Sequence, residues 1–141
     1  MVRRYMLFLS VTLSMLLAIS GCSEPAVDEV TLDTEFTLSV GQSVSVAGEG
    51  LQLTFVEVVS DSRCPSGATC IWAGEASCLI EFTDSESTYS KVLTEPGLSS
   101  PPKATFTDYE ITFAILPYPE LGKDIQQKDY RLQLTISKTP A

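Results

Sequence analysis

Two cysteines near the middle of the chain have a spacing that could support chemistry. Cys64 and Cys70 enclose five residues that include a proline and a glycine, so the chain can double back between them. A redox dithiol usually has Cys-x-x-Cys spacing at a helix N-terminus, where one thiol pKa is lowered. Here the spacing is longer and no helix is predicted, so we expect a structural disulfide.

Cys78 is the competing partner for this bridge. It falls on the apolar face of a predicted strand, where a free cysteine behaves as a small hydrophobic residue. We therefore assign the bridge to Cys64–Cys70 and keep a bridge through Cys78 as the alternative. Closing a loop of seven residues stabilises the fold by about 2.4 kcal/mol in the chain-entropy treatment. The three cysteines of the mature domain, in a chain without histidine, argue against a metal site.

Three residues beside the cysteines are candidate binding residues: Asp61, Arg63 and Trp72. In one interpretation they form a charged recognition tip with a tryptophan anchor, because Trp is enriched at binding hot spots. We favour a structural interpretation. Asp61 caps the turn, and Arg63 pairs with an acid or covers Trp72 by a cation–π contact. Trp72 then packs on the disulfide and closes one end of the core.

The rest of the composition excludes several functional classes. The chain has no histidine, which removes Ser-His-Asp and Cys-His machinery and His-ligated zinc or haem. The acids lack the spacing of a calcium loop, and no pair is marked for glycoside hydrolysis. An excess of 18 acidic over 9 basic side chains argues against nucleic-acid binding. We predict a non-enzymatic protein without cofactor or metal, with a carboxylate-based hydrolase as the weaker alternative.

Residues 1–21 have the pattern of a secretory signal peptide. Arg3 and Arg4 precede a nearly continuous apolar run over 6–19, which is shorter than the roughly 20 residues of a spanning helix. The sequence Ile19-Ser20-Gly21-Cys22 resembles the lipobox of bacterial lipoproteins. That resemblance implies cleavage before Cys22 and lipidation of its thiol. An ordinary signal peptide with a nearby cysteine is the alternative.

The location that follows is the cell envelope, with the membrane as a partner through the N-terminal lipid. Removing 1–21 leaves 7 basic and 18 acidic side chains, a net charge of −11, so electrostatic adsorption to anionic lipid is disfavoured. Residues 22–29 are predicted to be a tether. Ser23 is not the Asp of the inner-membrane retention rule, so we expect the outer membrane in a diderm bacterium, at its periplasmic face or surface. In a monoderm bacterium we expect the outer face of the cytoplasmic membrane.

The elements that position these residues are predicted to be β-strands. Apolar and polar residues alternate, or apolar residues run continuously, over 30–40, 43–46, 51–59, 76–82, 88–94, 109–115 and 130–136. Residues 95–103 contain three prolines and a glycine and are predicted to be an irregular loop. About seven strands predict one all-β domain over 30–138, an antiparallel β-sandwich of immunoglobulin-like or related Greek-key type. A small closed barrel is the alternative.

The chain resembles a group of small secreted bacterial proteins and lipoproteins of uncharacterised function. The resemblance rests on Asp61-Ser62-Arg63-Cys64-Pro65, Cys70, Trp72, Ala73-Gly74 and Ala76, and extends to Gly41-Gln42, Leu51–Val58, Leu116-Pro117-Tyr118-Pro119 and Tyr130-Arg131-Leu132. The motif of that group uses two cysteines, which supports the Cys64–Cys70 pairing and makes Cys78 a departure. The resemblance implies no catalytic residue.

Together these patterns favour a lipid-anchored, non-enzymatic binding or structural module of the cell envelope. Its partner beyond the membrane is an unknown protein or envelope ligand. The alternative is an envelope-displayed inhibitor of a lysozyme or a protease, because a charge of −11 is complementary to basic lysozymes.

Overall fold

The computed structural model describes residues 27–97 and 101–140, which form nine β-strands in two sheets. The strands are β1 (Asp28–Val30), β2 (Glu35–Ser39), β3 (Ser43–Val46), β4 (Leu51–Asp61), β5 (Glu75–Thr83), β6 (Thr88–Pro96), β7 (Lys103–Phe106), β8 (Tyr109–Leu116) and β9 (Arg131–Lys138). The five-stranded sheet has the order β1-β3-β4-β5-β6 and the four-stranded sheet β2-β9-β8-β7. The predicted all-β sandwich is confirmed.

Two strands more are present than the seven that were predicted. Of the alternating stretch over 30–40, Val30 is the last residue of β1 in one sheet, and Glu35–Ser39 form β2 in the other. At the crossing, Asp33 adopts the left-handed conformation (φ 59°), and its N–H donates to the Ile136 carbonyl at 2.8 Å. The second extra strand is β7, which begins at the last residue of the predicted irregular loop.

The core fills the space between the sheets with the inward-facing side chains of both. In β9 the alternation is regular, with Leu132, Leu134 and Ile136 buried. In β4 the buried positions change from odd to even numbers, because bulges interrupt its register with β5. A bulge adds one residue to a strand and so reverses the side chains that follow it. Val59 is consequently 56% exposed, although an apolar run at this point predicted burial.

One end of the sandwich contains the segment between β4 and β5, residues 62–74, which we call the Cys loop. The segment between β8 and β9 reaches the same end, where Ser66 pairs with Glu120. The first strand, β1, is parallel to β3, and β3 is antiparallel to β4. Because β4 runs toward the Cys loop, β1 runs away from it.

The predicted signal peptide, Cys22, Ser23 and most of the predicted tether lie outside the described residues. The tether was predicted to extend to residue 29, whereas β1 already begins at Asp28. No helix within 27–97 and 101–140 is long and apolar enough to cross a membrane.

Candidate functional site

A disulfide closes the Cys loop. Cys64 and Cys70 are bonded, with their Cα atoms 5.9 Å apart, which confirms the predicted pairing. Cys78 is a free, buried cysteine on the inner face of β5, as predicted. Burial raises the pKa of the Cys78 thiol to about 12, so this thiol is inert rather than nucleophilic.

Arg63 lies at the base of the Cys loop and is only 3% exposed. Its Nε and Nη2 atoms donate to the two carboxylate oxygens of Asp61, at 2.9 and 2.6 Å. Nη1 donates to Glu95 Oε2 at 3.3 Å. A planar guanidinium matches a carboxylate in this two-bonded way, which a lysine cannot reproduce.

The remaining guanidinium hydrogens bond to the backbone that leaves β8. Nη1 donates to the carbonyl of Ile115 at 2.6 Å, and Nη2 donates to that of Pro117 at 3.1 Å. The guanidinium carbon also lies 5.0 Å from the centre of the Tyr118 ring, within range of a cation–π contact. Arg63 therefore fastens the Cys loop to the four-stranded sheet.

Both acids that bind Arg63 have a second partner. Asp61 Oδ2 accepts from the Tyr130 hydroxyl at 3.2 Å, and Glu95 Oε2 accepts from the Ile115 N–H at 2.8 Å. We call Asp61, Arg63, Glu95, Tyr118 and Tyr130 the Arg63 cluster. It closes the end of the core from both sheets.

The electrostatics of the Arg63 cluster favour fixed charges. Burial raises the pKa of Asp61, but hydrogen bonds and the charge of Arg63 outweigh burial and lower it overall. Burial likewise opposes the charge of Arg63, and Asp61 overcomes it, so that the pKa of Arg63 is raised. Burial and the neighbouring Asp61 raise the pKa of Tyr130. None of these shifts brings a group toward neutral pH, where a general acid or base works best.

This geometry decides between the two interpretations of Asp61 and Arg63. The predicted pairing of Arg63 with an acid is confirmed, while the predicted cation–π contact with Trp72 is wrong because the ring is that of Tyr118. A charged recognition tip is also wrong, since the Arg63 side chain is buried and cannot touch a partner.

No sequence pattern assigned Glu95, Tyr118 or Tyr130 a role at Arg63, although the two tyrosines lie in segments that carry the resemblance. Glu95 fell in the predicted irregular loop but forms part of β6. Their contacts with Asp61 and Arg63 join positions that are up to 69 residues apart, a distance over which no local pattern operates.

Trp72 does not pack on the disulfide, and that prediction is wrong. Its side chain is 81% exposed, and the neighbouring Ile71 is 93% exposed. The place at the end of the core that Trp72 was expected to fill is occupied by Arg63 and Tyr118. The backbone at the base of the loop is also closely packed, since a Cβ on Gly74 would overlap the carbonyl oxygen of Ser62. The side chains at 71 and 72 therefore point away from the sandwich.

Residues 64–73 of the Cys loop are held in a defined position but carry no charge. No residue from Cys64 to Ala73 has an ionisable side chain other than the two bonded cysteines. The N–H of Ser66 donates to the Pro119 carbonyl at 2.9 Å, and the Cys64 N–H donates to that of Ala73 at 2.9 Å. Together with Tyr118 the loop lines an open depression of about 510 Å³.

No protein-family model, curated protein or solved structure matches the chain. In the part of the chain that the structure describes, no group of three His, Cys, Asp or Glu side chains is placed to hold a metal ion.

Proposed function

We propose that this protein is a lipid-anchored, non-enzymatic binding module of the cell envelope and that the Cys loop is its binding surface. One observation carries the proposal: Ile71 and Trp72 are almost fully exposed on a loop that a disulfide and a buried arginine hold in place. Large apolar side chains that protrude from a fixed element are typical of binding sites. A preorganised loop also loses little conformational entropy when it binds.

The carboxylates support a non-enzymatic role. Asp61 and Glu95 are both bound to the guanidinium of Arg63 and are largely buried. A glycoside hydrolase needs two carboxylates that face a substrate, one of them able to give up a proton. The inhibitor alternative was based on net charge, and the uncharged residues 64–73 offer no charged contact at the loop.

The lipid anchor is supported by the resemblance of Ile19-Ser20-Gly21-Cys22 to a lipobox. Metabolic labelling with an alkyne analogue of palmitate tests it directly. The wild-type chain and a Cys78→Ser variant should incorporate the label, whereas Cys22→Ser should not. A wild-type chain without label would contradict the anchor.

Hydroxyl-radical footprinting in intact cells tests the Cys loop as the binding surface. Tyr89 is 47% exposed at the opposite end of the five-stranded sheet and serves as the internal reference. If the loop is occupied, Trp72 should be oxidised more slowly than Tyr89, although it is the more exposed side chain. Oxidation of Trp72 in cells at the rate found for the urea-unfolded chain would show that the loop is free.

A further inference from the structure

We propose that the Cys loop binds the surface of the bilayer in which the lipid on Cys22 is anchored, with Ile71 and Trp72 entering the interface. This inference rests on the proposed lipid anchor and names the partner of the same loop. It follows from the direction of β1, the length of chain between Cys22 and Asp28, and the chemistry of the loop.

The direction of β1 determines from which side the N-terminal chain reaches the domain. Asp28 pairs with Val44 in the parallel β1–β3 ladder, and Val44 pairs with Leu53 in β4. Because β1 runs away from the Cys loop, Asp28 receives the preceding chain from the end of the sandwich that contains the loop. The N-terminal end of β1 therefore faces the end of the sandwich that contains the Cys loop.

The number of residues limits how far away the anchor can be. Across the five-stranded sheet, Asp28 pairs with Val44, Val44 with Leu53, and Leu53 with Phe82, so Asp28 and Phe82 lie at the same height along the strands. Asp61, the last residue before the loop, pairs with Ala76. The six residues from Phe82 to Ala76 correspond to about 20 Å along β5. The six residues from Cys22 to Asp28 span at most about 22 Å when fully extended.

A lipid on Cys22 therefore lies hardly farther from Asp28 than the base of the Cys loop does. Residues 62–74 project past that base, so the loop lies within reach of a bilayer that holds the Cys22 lipid at this end of the sandwich. Because the anchor confines the loop to the membrane surface, contact between the two is an intramolecular event with a high effective concentration. This geometry favours lipid over a protein partner, which would have to reach the loop from the membrane side.

The chemistry of the loop suits a lipid interface. Trp is enriched at the boundary between headgroups and acyl chains, and Ile71 adds a fully exposed aliphatic side chain. Because residues 64–73 carry no charge, entry of these residues desolvates no ion of their own. The fixed loop also needs no rearrangement to present these two side chains.

Fluorescence of Trp72 tests the proposal, because it is the only tryptophan in the chain. The full sequence is expressed in a bacterium that processes lipoproteins, and the protein is reconstituted from detergent into phosphatidylcholine vesicles. One set of vesicles contains phosphatidylcholine that is brominated in its acyl chains, which quenches only a fluorophore that enters them. We expect emission about twofold lower in the brominated vesicles, since interfacial side chains reach the acyl boundary. Vesicle flotation of the same samples reports the anchor separately.

Two variants sharpen the measurement. Ile71→Ser should reduce the quenching of Trp72, whereas Val92→Ser should not, because Val92 is 52% exposed but lies midway along β6. Protein that floats with the vesicles while Trp72 stays unquenched and accessible to iodide overturns the inference and leaves the anchor intact. If Trp72 becomes inaccessible to iodide only after envelope proteins are added to the vesicles, the partner of the loop is a protein. Absence of flotation overturns the anchor and this inference with it.

Discussion

Arg63 is the residue on which the end of the sandwich depends. A guanidinium has five N–H donors, and all five have an acceptor in the described residues: two on Asp61, one on Glu95 and two on backbone carbonyls. These acceptors come from β4, β6 and the chain at the end of β8. A buried ion of this kind is a structural element, because removing one partner leaves an uncompensated charge.

Arg63→Lys should lower the free energy of unfolding by about 3 kcal/mol, since an ammonium group loses the two-bonded contact with Asp61. Urea titration at neutral pH measures the change. Arg131→Lys is the matched control, because Arg131 bonds only to nearby carbonyls, and we expect a change of about 0.5 kcal/mol. Equal effects of the two substitutions would contradict the special role of Arg63.

Asp61 should make the protein less stable in acid. Its pKa is lowered in the folded state, so between that value and the unfolded value of about 3.9 the unfolded chain binds more protons. The stabilisation that ionised Asp61 contributes is therefore fully present above about pH 4, and it is lost as the pH falls through the pKa of Asp61 in the folded protein. Asp61→Asn should be less stable than the wild type at pH 7 but lose less stability on acidification to pH 3, as measured by urea midpoints. An unchanged pH dependence would show that Asp61 does not contribute.

At the scale of the element, the Cys loop combines a closed ring with a tightly packed base. Gly74 has φ +70°, and its position against Ser62 leaves no room for a side chain. The N–H of Gly97 donates to the Gly74 carbonyl at 2.8 Å, so the base of the loop is also tied to the end of β6.

Gly74→Ala should destabilise the fold by about 3 kcal/mol or more, because steric overlap adds to the strain of a positive φ. Gly48→Ala is the control: Gly48 has φ +74° but nothing within 4 Å of the added methyl group. It should cost only about 1 kcal/mol of strain. Thermal and urea unfolding of both variants measure the difference, and similar losses would mean that the close approach to Ser62 does not matter.

Replacing both Cys64 and Cys70 by Ser should lower the free energy of unfolding by about 2.4 kcal/mol, the value expected for a seven-residue ring. The wild-type protein in reductant is the control and should match the double variant. A loss below about 0.5 kcal/mol would mean that the loop stays ordered without its bridge.

Local sequence patterns predicted the β-strands better than they predicted which strands and side chains contact one another. Period-two alternation predicted most of the strands but neither β7 nor the separation of β1 from β2, and the spacing of Cys64 and Cys70 predicted the bridge. The alternation over 30–40 continues across Asp33, however, so nothing in it shows that the chain changes sheets there. Trp72 was misplaced for a similar reason. Its surroundings depend on Arg63 and on residues of the β8–β9 segment, which come into contact only after both sheets have formed.

At the scale of the whole molecule, the two sheets are joined by their shared core and by the Arg63 cluster at one end. The free thiol of Cys78 lies inside this core and is fully buried. Its pKa of about 12 and its burial leave global or large-scale opening as the route by which a reagent reaches it.

Cys78 should therefore be unreactive toward a maleimide reagent at pH 7 and should become labelled as urea unfolds the protein. The urea concentration at which labelling is half complete should equal the midpoint of unfolding measured by backbone circular dichroism. Both proteins carry Cys22→Ser, so that Cys78 is the remaining unpaired cysteine, and the added substitution Cys78→Ala is the control that should take up no label at any urea concentration. Rapid labelling of the native protein would show that the end of the core opens locally.

The direction of β1 has a mechanical consequence. Under the proposed lipid anchor, a pull on the N-terminal chain toward the Cys loop end acts along the axis of β1 and across its ladder with β3. Strands loaded in this shear direction resist with all their hydrogen bonds at once, whereas strands pulled apart sideways lose them one by one. The bond between Gln42 Nε2 and Asp28 Oδ2, at 3.2 Å, adds to the ladder at the point where the load enters. A strand of three residues is thereby loaded in the direction in which it is strongest.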